Sequence, residues 1–111
     1  MTRRAIVTGG TRGIGEAISV ALRDAGVTVA ANYAGNAEAA AQFEQRTGIR
    51  TYQWDVGDHQ QCLDGCARVA ADIGPVYILV NNAGITRDGT LLKMSFEAWD
   101  AVIRVNLGGC F

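Results

Sequence analysis

The 111-residue sequence predicts an α/β domain built on a parallel sheet. Three observations carry that expectation. Short apolar runs of strand length alternate with longer segments whose apolar residues recur at helical spacing. The first run opens directly into a cluster of glycines at Gly9, Gly10, Gly13 and Gly15. Most of the other glycines close periodic segments, where turns and helix stops belong, and the chain has one proline.

Each element follows in order. Ala5–Thr8 is an apolar run between Arg4 and Gly9 and reads as a buried strand. Gly9–Gly15 is a glycine-rich turn. Beyond it, Ile14, Ala17, Ile18, Ala21, Leu22 and Ala25 fall on one helical face, and Gly26 ends the helix. Val27–Asn32 is a second strand. Asn36 caps a helix over Ala37–Thr47, which Gly48 stops. Ile49–Asp55 is a third strand. Asp58 with Gln61 resembles a capping box, and the helix that follows carries Cys62, Leu63, Cys66, Val69, Ala70 and Ile73 on one side. Gly74-Pro75 stops that helix. Val76–Val80 is a fourth strand, apolar on both faces as a central parallel strand should be. After Asn81-Asn-Ala-Gly84, Ser95 caps a helix that begins at Phe96.

The pattern βαβαβαβα is that of the N-terminal half of a Rossmann-type, doubly wound parallel sheet. That topology sets strands 1 and 4 side by side at a switch point, with the glycine turn and the Asn-Asn-Ala-Gly loop at its mouth.

Bulk charge excludes several classes of function. The net charge of −1, with acids and bases interspersed, argues against nucleic acid as a partner. The longest apolar run is too short for a membrane span, and the N-terminus lacks the apolar region of a signal peptide, so a soluble cytoplasmic protein is expected. Three cysteines without a Cys-x-x-Cys pair do not form a disulfide framework. His59, Cys62 and Cys66 share a helix face, but cysteines so placed are far more often core packing than metal ligands. No metal site is expected.

The turn Thr8-Gly-Gly-Thr-Arg-Gly-Ile-Gly15 has the spacing Gly-x-x-x-Gly-x-Gly. Gly9 permits a tight turn out of the strand, Gly13 lets a pyrophosphate approach the backbone, and Gly15 allows close helix–strand packing. The helix behind offers free N–H groups and the positive end of its dipole to phosphates. The alternative is an ordinary tight βα connection; the flanking strand and amphipathic helix favour a dinucleotide. An NAD site carries an acid about twenty residues on. Here the second strand ends in Asn32-Tyr-Ala-Gly-Asn36, and no acid appears before Glu38. Arg12 lies inside the turn, placed to meet a 2′-phosphate, so NADPH/NADP is favoured as cofactor. The plainer reading of Arg12 is a solvated surface arginine.

Three separated motifs, Thr8-Gly-x-x-x-Gly-Ile-Gly15, Asp55-Val56 and Asn81-Asn-Ala-Gly84, resemble those of the short-chain dehydrogenase/reductase family, and the resemblance runs the length of the chain. It implies that residues 1–111 form the N-terminal portion of a single NAD(P)-binding domain. It implies cofactor contacts from Gly9, Arg12, Gly13, Ile14, Gly15, Asn32, Asp55, Val56, Asn82, Ala83, Gly84, Ile85 and Thr86. Asp55 would take the adenine ring; the plainer alternative for it is a strand-end cap for the next turn. The loop after strand 4 would line the ribose and nicotinamide.

Asn106 should share the inward face of Val102 and Ile103, and a buried Asn needs partners. The resemblance makes it a catalytic support, organising a water for a proton relay. The family's Ser and Tyr-x-x-x-Lys are expected further along: Tyr33, Tyr52 and Tyr77 have no Lys or Arg four residues on. Ile85-Thr-Arg-Asp88, Leu92-x-Met94 and Trp99-Asp-Ala-Val-Ile103 resemble the branch that reduces 3-oxoacyl thioesters. The expected substrate is a small acyl thioester carried on coenzyme A or, alternatively, on a carrier protein. A non-catalytic dinucleotide-binding module stays open. By the same resemblance Asp88 sits at the mouth of the substrate site, while Asp88-Gly89 also fits a plain turn. The full-length protein is expected to be a homotetramer.

Overall fold

The computed structural model describes residues 3–83. The expected helix after Phe96 and the candidate residues Gly84, Ile85, Thr86, Asp88 and Asn106 lie outside the described residues.

The elements are β1 (Arg4–Val7), α1 (Gly13–Asp24), β2 (Thr28–Tyr33), α2 (Ala37–Thr47), β3 (Arg50–Gln53), α3 (His59–Ile73) and β4 (Ile78–Val80). The four strands pair in parallel in the order β3-β2-β1-β4. The chain therefore winds outward from β1 to β3, then returns to set β4 on the other side of β1. This is the doubly wound α/β arrangement that the sequence predicts, with the switch point between β1 and β4.

Strand alternation sorts the core into two layers. Ala5 and Val7 of β1 join Val29, Ala31, Phe43 and Ile49 beneath α1 and α2. Ile6 and Ala30 face the other way, onto Tyr52, Trp54, Val56 and Val69 beneath α3. Phe43 is wholly buried, a contribution of about 2 kcal/mol from apolar area alone. The ends of α2 fall where the sequence sets them: the Asn36 side chain accepts from Ala39 N–H at 3.2 Å, and Gly48 closes the helix at φ 75°.

Four expectations need correction. First, α1 is rotated. Ile14, Ala17, Ala21 and Ala25 are exposed, and the inward line is Gly15, Ile18, Ser19 and Leu22. A Cβ on Gly15 would lie 2.0 Å from the Gly9 carbonyl oxygen. The close approach of helix to turn fixes the rotation, not the centre of the apolar stripe.

Second, α3 buries Gly65 and Val69, while Leu63, Cys66 and Ala70 are exposed. A Cβ on Gly65 would meet Trp54 Cε3 at 2.4 Å, so the indole lies against helix backbone and that contact sets the inward face. Cys66 is therefore not core packing. No group of three or more His, Cys, Asp or Glu able to hold a metal occurs among the described residues.

Third, only half of a capping box forms. Asp58 Oδ1 accepts from Gln61 N–H at 3.1 Å and Gln61 Nε2 donates to Asp58 Oδ2 at 3.3 Å, but Gln61 Oε1 accepts from Asp55 N–H at 2.8 Å instead of from Asp58 N–H. Asp58 N–H donates to the Asp55 carbonyl at 3.0 Å, so the reciprocal bond has no donor left to take.

Fourth, strand bounds shift. β2 runs one residue later than expected, β3 ends before Trp54, and β4 begins at Ile78. Within β4, Ile78 and Val80 pack on the first core whereas Leu79 is exposed, so among the described residues only one face is buried.

Candidate cofactor site

A cleft of about 550 Å³ opens at the carboxyl ends of the strands. Every strand feeds it. Gly9, Thr11, Arg12 and Gly13 follow β1; Asn32 to Asn36 end or follow β2; Trp54, Asp55 and Val56 follow β3; Asn82 and Ala83 follow β4. This is where ligands bind in open parallel sheets.

The turn after β1 is held from all sides. Gly9 and Gly13 adopt φ of 62° and 58°, a left-handed backbone that favours glycine. Gly13 has nothing within 4 Å of a built Cβ, so its glycine serves conformation and leaves the approach to the turn open. Gly15 is needed for packing. Gly10, which the motif reading passes over, is needed too: a Cβ there would meet Ser19 Oγ and Val7 O at 2.8 Å.

The backbone polar groups of Gly9 and Gly10 are all engaged. Gly9 N–H points to Asn32 Oδ1 at 3.4 Å, and the Gly9 carbonyl accepts from Asn82 Nδ2 at 3.2 Å. Gly10 N–H donates to the Asn32 carbonyl at 3.0 Å, and the Gly10 carbonyl accepts from Ser19 Oγ at 3.0 Å. Thr8 Oγ1 donates to the Val80 carbonyl and accepts the N–H groups of Asn82 and Ala83, both at 3.0 Å. Thr8 thereby joins the two loops that flank the switch point.

α1 begins at Gly13, and the bond from Glu16 N–H to the Arg12 carbonyl opens its ladder. The N–H groups of Gly13, Ile14 and Gly15 precede that bond and have no acceptor within the helix. Together with the helix dipole they make a place for an anion. Arg12, extended and exposed, stands at this end. Among the described residues, Arg12 and Asp55 are the charged ones lining the cleft, and no acid follows β2 within it.

The floor opposite is the segment after β3. Asp55 Oδ1 accepts from Gly57 N–H at 2.8 Å, so the turn-capping role is real; it uses one of two carboxylate oxygens. Cys62 Sγ donates to the Val56 carbonyl at 3.4 Å, and burial pushes its thiol pKa up. Trp54 and Val56 are buried.

The structure thus brings Gly9, Arg12, Gly13, Asn32, Asp55, Val56, Asn82 and Ala83 to one cleft, with Ile14 and Gly15 at its helix terminus. The motif reading includes Thr8 and Gly10 without giving either a job, and it misses Ser19 and Gly65. A hydroxyl at 19 on an otherwise apolar face was the available signal for one of them.

A pyrophosphate fits the open turn and the unpaired N–H groups, and small residues at 83 and 34 leave width for flat rings. The sequence profile of the short chain dehydrogenase family matches residues 3–111. An acetoacetyl-CoA reductase of Rhizobium meliloti (strain 1021) is 63% identical over 111 residues, covering 100% of this chain and 46% of that protein. One of Paracoccus denitrificans is 55% identical with the same coverage. A 3-oxoacyl-acyl-carrier-protein reductase of Staphylococcus aureus is 41% identical over 116 residues, covering 100% of this chain and 47% of that protein. The chain spans under half the length of these curated relatives. With the sheet order, the glycine turn and the profile in agreement, the chain belongs to the short-chain dehydrogenase family.

Proposed function

We propose that the cleft binds a nicotinamide dinucleotide, NADPH in preference to NADH, for the reduction of acetoacetyl-CoA to (R)-3-hydroxybutyryl-CoA in polyhydroxybutyrate synthesis. The observation that carries the cofactor reading is the convergence of four strand ends on one cleft beside a helix terminus with unpaired N–H groups. Gly9, Gly13, Ile14 and Gly15 hold the pyrophosphate. Asp55 and Val56 take the adenine side. Asn82, Ala83 and, by resemblance, Gly84, Ile85 and Thr86 line the ribose and nicotinamide.

The bound nicotinamide supplies the hydride, and the protein aims it. Arg12 carries the leaning toward NADPH: among the described residues it is the cation lining the cleft, where an NAD site would place an acid after β2. Asn106 supports proton delivery and Asp88 borders the substrate; both rest on the family resemblance. A soluble homotetramer in the cytoplasm completes the proposal; among the described residues no helix is long and apolar enough to cross a membrane.

The thioester reading is supported by identities of 63% and 55% to two acetoacetyl-CoA reductases, against 41% to the carrier-protein reductase. The test gives the whole protein NADPH with either acetoacetyl-CoA or its carrier-protein counterpart. Faster turnover of the coenzyme A thioester is expected. Much faster turnover of the carrier-protein thioester establishes the second reading, and nucleotide binding without turnover of either leaves a binding module.

A further inference from the structure

Asn32 sits at the end of β2 and is 2% exposed, the one buried primary amide among the described residues. Both ends of its side chain are occupied by backbone. Oδ1 faces Gly9 N–H at 3.4 Å, and Nδ2 donates to the Trp54 carbonyl at 3.0 Å. Its own carbonyl takes Gly10 N–H at 3.0 Å. One residue therefore touches the phosphate turn twice and the opposite floor once, across the sheet from β1 to β3.

We propose that Asn32 is a positioning residue that holds the phosphate turn and the adenine-side floor at a fixed separation, without itself binding the cofactor. This rests on the dinucleotide reading of the cleft. The amide keeps one N–H and one lone pair beyond these two bonds; what bars a direct ribose contact is burial, since only 2% of Asn32 is exposed. The 3.4 Å contact is the weak member, but Gly10 N–H to the same residue's carbonyl backs it up. The 3.0 Å bond to Trp54 is the stronger, and Trp54 precedes Asp55 and Val56 directly. A shift there moves the floor against the turn. A dinucleotide spans both and reads their separation.

The nicotinamide end is held separately, by Thr8 and Asn82. Asn32→Leu keeps the size of the side chain and adds no charge, but removes the donor toward the Trp54 carbonyl and the weaker acceptor toward Gly9 N–H. In the whole protein we expect KM for NADPH to rise about fivefold, the equivalent of one neutral hydrogen bond, with kcat held within about twofold. A purely structural role predicts the opposite split: fewer folded molecules, so lower kcat at unchanged KM. That result overturns the proposal.

A second measurement needs no variant. In the unmodified protein without nucleotide, the Asn32 side-chain N–H signals should already be protected from solvent exchange, because the bond to Trp54 precedes binding. Free exchange there overturns the proposal. Failure of the unmodified protein to bind NADPH or NADH defeats the dinucleotide reading instead, and is seen before any variant is made.

Discussion

The two ends of the cleft are built in different ways. At the phosphate end four glycines shape the chain, two of them left-handed and two pressed against carbonyl oxygens and a hydroxyl, and the side chains of Asn32, Asn82 and Ser19 tie down three of the four polar groups of Gly9 and Gly10. At the adenine end the chain is set from α3: the Gln61 side chain holds Asp55 N–H, Cys62 reaches the Val56 carbonyl, and the bare backbone at Gly65 seats the Trp54 ring. The first end tolerates almost no change of residue. The second tolerates changes that re-aim Asp55 while leaving the sheet intact.

The largest expected effect breaks the first end. Gly15→Ala places a methyl 2.0 Å from the Gly9 carbonyl oxygen, and backbone cannot swing aside as a side chain does. A loss of about 3 kcal/mol in urea unfolding is expected from such overpacking, with nucleotide binding abolished. Gly65→Ala tests the second end. The new methyl meets the indole at 2.4 Å, while alanine returns about 1 kcal/mol of helix propensity. The net loss should be near 1–2 kcal/mol, with an altered Trp54 near-ultraviolet signal and weakened adenine-side binding. Equal losses for the two variants would erase the distinction between the ends.

Away from the cleft, Tyr52 ties β3 to α3. Its hydroxyl donates to Asp72 Oδ2 at 2.9 Å, and burial, then that bond, raise its pKa above the ordinary 10.0. A folded pKa above the unfolded one means the contribution is complete below 10.0 and is lost as pH rises past it. Tyr52→Phe should flatten the alkaline limb of stability against pH; an unchanged limb would contradict the assignment. The smallest effect concerns the cysteines. Cys66 is exposed, whereas Cys62 is half-buried with its thiol pKa raised by burial and by the nearby Cys66. Peptide mapping after brief iodoacetamide treatment at pH 8 should find Cys66 modified before Cys62; the reverse order would place α3 in the wrong rotation.

The contrast between the ends also explains what could be read from the residues alone. The four strands, helix α2 with both caps, and the glycine turn were legible because each depends on local chemistry: a strand-length apolar run, a capping amide, a positive φ; strand order came instead from the general topology of alternating βα units. The rotations of α1 and α3 were not. Apolar spacing points to Ile14 and Cys66 as inward, yet Gly15 and Gly65 win because the partner of each helix is a carbonyl or an indole that demands close approach. Asn32 was legible as part of the cleft but not as a bolt across it, since its partners lie 22 and 23 residues away along the chain.

Titration of the whole protein and of Arg12→Ala with NADPH and NADH tests the central claim most directly. The account predicts tighter binding of NADPH by the unmodified protein, and about a tenfold loss for NADPH alone when the guanidinium is removed. Equal affinity for the two nucleotides, unchanged by the substitution, would contradict it.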